Sequence, residues 1–189
     1  SVAMYSKGIE LAPEDYRLWG GRADSKWSMP QERDAAREDY RRAIALAEKS
    51  LEVDATDAEA WAQLGYYYGR LGDVERGNRY LARGMELGPD APFVFYCAAI
   101  AAVDRGDRQE ALRYLENAQH KSRYVRLEAA YFMWNAFMDE GRLAEAESKL
   151  AYLLNAIPQS PLFEWCEIQT LFYQKRWDDV LKKGAAYEH

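Results

Sequence analysis

A chain of 189 residues that is 49% hydrophobic and 30% charged has the size of one ordinary domain and suits amphipathic helices around a continuous core. Its formal net charge of -6 argues against a nucleic-acid partner, which would call for a basic face. No apolar run reaches the roughly 18 residues needed to cross a bilayer, so membrane insertion by this segment is excluded, and Ser1 to Leu11 lacks the basic-then-apolar order of a signal peptide.

The first predicted element, Met4 to Pro13, is a helix stopped by proline, with Gly8, Leu11 and Pro13 spaced like Gly84, Leu87 and Pro89 further on. An irregular helix pair follows from Tyr16 to Asp57, with Trp19 early in its first helix and Ala43 in a long second helix, Ala35 to Val53. It is longer than the later pairs by about eight residues, an excess expected near Gly20 to Gln31. There Gly20, Gly21, Ser28 and Pro30 predict a loop between the two helices. The next unit is the most regular. It carries Trp61, Leu64, Gly65 and Tyr68, a turn at Gly72-Asp73, then Gly77, Leu81 and Gly84, and closes at Gly88-Pro89. A step of about 34 residues carries Gly72-Asp73 onto Gly106-Asp107, Gly77 onto Ala111, Leu81 onto Leu115 and Gly84 onto Ala118. The following step needs one extra residue and reaches Gly141, Ala146 and Pro158. A last unit opens at Pro161, carries Trp165, and enters its second helix near Trp177. The expected units are therefore a partial one over 1–15, repeats near 16–57, 58–91, 92–126 and 127–160, and a partial or capping unit over 161–189.

The pattern has a physical reason at each point. Small residues at Gly65, Gly77 and Gly84, and at Ala99, Ala111 and Ala118, let two helices approach closely. Large residues at helical spacing, Trp61, Leu64, Tyr68, Tyr80 and Leu81, fill the space between them. Gly72, Gly106 and Gly141 are placed to take a left-handed conformation that ends the first helix of each pair. Pro89 and Pro158 stop the second. No segment alternates convincingly enough to predict a strand.

Residues that carry chemistry are sparse. His120 and His189 belong to no metal-ligand spacing, and no phosphate-binding glycine loop occurs. Cys97 and Cys166 have no histidine partner evident in the sequence and read as packing residues. Glu145, Glu147, Asp178 and Asp179 sit among alternating charges on solvated helix faces, and Lys121, Arg123 and Arg126 read as a basic loop between helices. The expectation is a protein without catalytic residues, metal or cofactor.

The run Trp61-x2-Leu64-Gly65-x2-Tyr68 resembles the tetratricopeptide repeat, and the resemblance covers nearly the whole chain. Repeat 92–126 departs from it with Phe95 for the tryptophan, and 127–160 with Trp134 where Gly65 stands. The resemblance implies one all-α domain, a right-handed α-solenoid of stacked antiparallel helix pairs, whose concave groove holds a partner protein or peptide. In this family the groove is lined near first-helix positions 2, 5, 6, 9, 12 and 13. Carried over, these give the candidate partner-binding residues Tyr66, Arg70, Phe93, Tyr96, Tyr131, Phe132, Asn135, Trp165 and Gln169, with Cys97, Asp104, Cys166 and Tyr173 on further groove positions. The lysine–asparagine–arginine clamp of chaperone-binding members is missing, since Ala62, Tyr66, Phe93 and Cys97 stand there. The expected ligand is therefore an apolar helix or extended segment, with Arg70, Asn135 and Gln169 making polar contacts.

The expected function is a non-catalytic interaction scaffold, cytoplasmic and cut from a longer chain. Two alternatives stand beside it. Leu11 to Trp19 with the long helix after it is similar to tetratricopeptide tails of multidomain bacterial signalling enzymes and transcription regulators, which implies a sensor segment. Open helical ends would instead suit self-association.

Overall fold

The computed structural model describes residues 1–119 and 123–187. His120, His189 and Lys121 of the expected basic loop lie outside them. Every regular element among the described residues is helical, and the helices stack in pairs. The chain divides into two compact units, the first spanning Ser1–Arg105 and the second beginning at Gly106.

The first unit holds α1 (Val2–Leu11), α2 (Tyr16–Trp27), α3 (Arg33–Val53), α4 (Ala58–Arg70), α5 (Val74–Leu87) and α6 (Pro92–Asp104). Aspartates start several of these helices by accepting otherwise unpaired backbone N–H groups: Asp15 from Arg17, Asp57 from Glu59 and Ala60, and Asp73 from Arg76. Proline opens α6 at Pro92, where its missing N–H costs nothing. The early tryptophan recurs with one role in two pairs. The indole of Trp19 donates to the Pro13 carbonyl at 2.8 Å, and that of Trp61 to the Ala55 carbonyl at 2.9 Å, so each pins its helix to the turn before it.

Between α4 and α5 the backbones nearly touch. A Cβ placed on Gly65 would lie 2.7 Å from the Gly77 carbonyl oxygen, and one on Gly77 would lie 2.7 Å from the Gly65 oxygen. Leu64 and Leu81, 1% and 4% exposed, fill the space beside this contact. Burial of each such leucine is worth about 1.5–3 kcal/mol.

The sequence placed Gly20 and Gly21 in a loop, and the structure places them inside α2. They read locally as helix breakers, but a Cβ on Gly20 would strike the Tyr67 ring and one on Gly21 the Tyr5 ring. The break between the helices comes later, at Ser28 and Met29, before a 3-10 turn at Pro30–Glu32. The extra length of this pair is taken up in α3, at 21 residues the longest helix of the unit. Asp39 on α3 is 4% exposed and meets two cations of α2. Arg22 grips it through two N–H groups at 2.9 and 2.7 Å, and Lys26 reaches it at 2.8 Å. Removing a carboxylate from such a buried group strands its cations, at a cost of about 3–5 kcal/mol.

The second unit holds α7 (Arg108–Gln119), α8 (Arg123–Asp139), α9 (Leu143–Ala156), α10 (Pro161–Tyr173) and α11 (Trp177–Tyr187). Arg123 and Arg126, expected in a loop, belong to the first turn of α8. The core gathers Ala130, Leu153 and Phe163 from α8, α9 and α10. Trp134, where the regular repeat has glycine, is 2% exposed and donates its indole N–H to the Thr170 hydroxyl at 3.0 Å, which gives a large buried side chain a polar partner.

Turn chemistry is shared by both units. Gly72, Gly106 and Gly141 take positive φ values of 95, 79 and 71°, as expected from the sequence. Lys175 stands at the same point of the last pair and takes φ 59° with a side chain.

Candidate functional site

The candidate residues fall on two surfaces, one in each unit. In the first they come from α4 and α6. Tyr66 is 7% exposed, so its ring is held inside and its hydroxyl makes the polar contacts. Arg70 is partly buried. Its guanidinium lies over the Tyr66 ring at 5.1 Å and over the Trp27 ring at 5.8 Å, donates from Nε to the Tyr66 hydroxyl at 2.9 Å, and pairs with Asp104 at 3.0 Å. Phe93 and Tyr96 are partly buried on α6 with ring centroids 5.9 Å apart.

This surface contains residues that the sequence reading passed over. Asp24 on α2 is exposed, and one of its oxygens, Oδ1, accepts the hydroxyls of both Tyr40 and Tyr66 at 2.5 Å. Tyr40 is fully buried on α3. It meets the Trp27 ring edge-on at 5.7 Å and the Tyr66 ring at 6.3 Å. Although Asp24 as a residue keeps contact with water, protein around its carboxyl strips part of its hydration and raises its pKa. Hydrogen bonds from Tyr40 and Tyr66 and the charge of Arg70 act the other way. Desolvation likewise raises Asp104, against the lowering effect of Arg70. A signal was present in the sequence. Counting from Tyr16 as Tyr66 is counted from Ala58 puts Asp24 at the same register and Trp27 three residues beyond it. The irregular length of that pair hid the match.

In the second unit the candidates come from α8 and α10. Tyr131 and Phe132 are partly buried neighbours with ring centroids 6.1 Å apart, and Tyr131 stacks on Trp134 at 6.0 Å. Asn135 is partly buried and spends one amide hydrogen on the Tyr131 carbonyl at 3.2 Å. Trp165 is 47% exposed and packs edge-on against Trp134 at 6.3 Å, and Gln169 is partly buried on the same helix. The accessible aromatic surface continues through Phe172, Tyr173 and Trp177, at 52, 57 and 51% exposure, with Phe172 meeting Trp177 at 5.1 Å. Phe172 and Trp177 were missed from this second patch: Phe172 was passed over beside Tyr173 on the first helix, and Trp177 begins a second helix and lies outside the first-helix positions.

Cys97 and Cys166, on groove positions by count, are both buried. Burial pushes the Cys97 thiol well up and that of Cys166 to about 11, so neither supplies a thiolate at neutral pH. A cavity of about 530 Å³ lies among α9, α10 and α11 over Leu150, Leu154 and Leu171. Its charged rim is largely paired internally, with Lys183 on Glu167 at 2.5 Å and Arg176 on Asp179 at 2.7 Å. Among the described residues no group of three histidine, cysteine, aspartate or glutamate side chains could hold a metal ion, and no helix is long and apolar enough to cross a membrane.

Residues 46–77 match the family model of the tetratricopeptide repeat. Superkiller protein 3 of Saccharomyces cerevisiae is 33% identical over 69 residues, which cover 36% of this chain and 5% of that protein, so the chain spans a small fraction of this curated relative. Among solved structures, the chain is similar to YrrB, described as a TPR protein with an unusual peptide-binding site, at a TM-score of 0.59 and 22% identity over 97% of this chain and 90% of that one. It is also similar to the MamA protein, at a TM-score of 0.63 and 17% identity over 92% of this chain and 90% of that one.

Proposed function

The chain is a tetratricopeptide repeat protein, and from that premise we propose that it is a non-catalytic scaffold that binds a helix or extended segment of another protein on its aromatic first-helix faces. Repeats of this kind generally form protein–protein interaction modules. The observation that carries the reading is the aromatic patch on α10 and α11, where Trp165, Phe172, Tyr173 and Trp177 each leave about half their surface in water. Aromatic side chains left contiguous and accessible are suited to an interface, since they offer large apolar area at low entropic cost. The first unit supports the same reading with Arg70 on the hydroxyl of Tyr66 and with the partly buried rings of Phe93 and Tyr96 on α6. In the second, Tyr131, Phe132, Asn135 and Gln169 adjoin the patch. The similarity to YrrB, itself described by a peptide-binding site, is consistent with a peptide ligand here.

The test compares the wild-type chain with a Tyr96→Ala/Tyr131→Ala variant and a Trp165→Ala/Tyr173→Ala variant, each checked for helix content by circular dichroism. Proteins captured by the wild type are purified and titrated against all three by calorimetry. Loss of about 2 kcal/mol or more of binding energy in either variant supports the reading. Unchanged affinity in both variants would move the binding surface elsewhere and refute it.

A further inference from the structure

We infer that Asp24 is the anchor for a cationic side chain, lysine or arginine, carried by the partner segment that docks on the first unit. The inference rests on the reading of that face as a partner-binding surface and names what the face selects. Its basis is a carboxylate that the surrounding cations leave without an ion pair. Arg70 is engaged by Asp104 and the Tyr66 hydroxyl, Arg22 and Lys26 are both engaged by Asp39, and Arg17 is engaged by Asp15. Asp24 alone among these carboxylates has no ion pair, and both of its hydrogen bonds go to Oδ1. Its Oδ2 is left with both lone pairs and no partner among the described residues, on a residue that faces solvent.

The geometry favours a cation over a neutral donor for two reasons. Two tyrosine hydroxyls fix the carboxylate in place, so a ligand that reaches it does not have to order it. The carboxylate is partly stripped of water, so a pair formed there is less screened than one on an open helix surface.

A library of random dodecapeptides displayed on phage is selected separately on wild-type protein and on Asp24→Asn. Asparagine keeps an oxygen for the two hydroxyls, so the fold is retained, and circular dichroism verifies this. Wild type should enrich peptides with a lysine or arginine at a fixed place, and Asp24→Asn should not. In a synthetic copy of such a peptide, replacing arginine by citrulline should weaken binding to wild type about tenfold and leave binding to Asp24→Asn nearly unchanged, because the lost charge pair is shared by the two changes. If peptides enrich without a basic residue, bind Asp24→Asn equally, and are lost with Tyr96→Ala, the role of Asp24 is overturned while the scaffold reading stands. A library that yields no binder overturns both.

Discussion

The contact between α4 and α5 makes a prediction of opposite signs at two glycines four residues apart. At Gly65 an added methyl would lie 2.6 Å from Leu81 Cγ, 2.7 Å from the Gly77 carbonyl oxygen and 2.7 Å from the Leu81 backbone nitrogen. Two of these three obstacles are backbone atoms on the facing helix, so no rotamer change relieves them and the helices must separate. Overpacking of this kind costs about 1–3 kcal/mol, and backbone obstacles place it at the upper end. Alanine returns about 1 kcal/mol of helix propensity, which leaves Gly65→Ala destabilised by about 2 kcal/mol. At Gly69 an added methyl meets nothing within 4 Å. Gly69→Ala therefore keeps its propensity gain, about 0.5–1 kcal/mol. Urea unfolding followed by circular dichroism at the helical minimum compares the two. With a slope of about 2–3 kcal/mol per molar, the midpoints of the variants should differ by about 1 M, on opposite sides of wild type. Repeat arrays can unfold in more than one step, so the transition that contains α4 and α5 is the one compared. Equal shifts in the same direction would refute the argument that close backbone approach, and not propensity, dictates glycine at position 65.

Three further outcomes are expected. Lys175 holds φ 59° where the other pairs use glycine, so Lys175→Gly should relieve about 0.5–1 kcal/mol of strain and raise the melting temperature by about 1–4 °C, whereas Gly141→Ala should lower it; a scanning calorimeter reads both. Asp24 has a folded pKa raised above its unfolded value, so its contribution to stability is most favourable below about pH 4, the usual carboxylate range, and is lost as pH rises through the folded pKa. The stability of Asp24→Asn minus that of wild type should therefore increase between acid and neutral pH, and a difference independent of pH would contradict the shift. Both thiols should resist Ellman's reagent at pH 8 in the folded chain and react at once in denaturant, since each is buried and its pKa is raised; rapid reaction of either in native buffer would show that the burial is wrong.

Much of the architecture was written in local signals. Trp61, Leu64, Gly65 and Tyr68 fall at i, i+3, i+4 and i+7, the spacing of one helix face. Gly72, Gly106 and Gly141 mark turns because the left-handed conformation there is a property of one residue. Caps such as Asp57 act within three residues of themselves. The candidate surfaces were legible only as positions. Counting found Tyr66, Arg70, Trp165 and Gln169, but could not tell that the Tyr66 ring is buried while Trp165 is half in water.

What the sequence determined by itself is the helical class of the elements and the turns at Gly72, Gly106 and Gly141, since each depends on residues a few positions away. Tertiary structure alone decided that Gly20 and Gly21 lie inside a helix, because the rings that exclude a Cβ there come from Tyr67 and Tyr5. It also decided the state of Asp24, whose two hydroxyl partners lie 16 and 42 residues along the chain. A side chain's hydration and charge balance are set by whatever folding brings beside it, and contacts across such separations leave no local pattern.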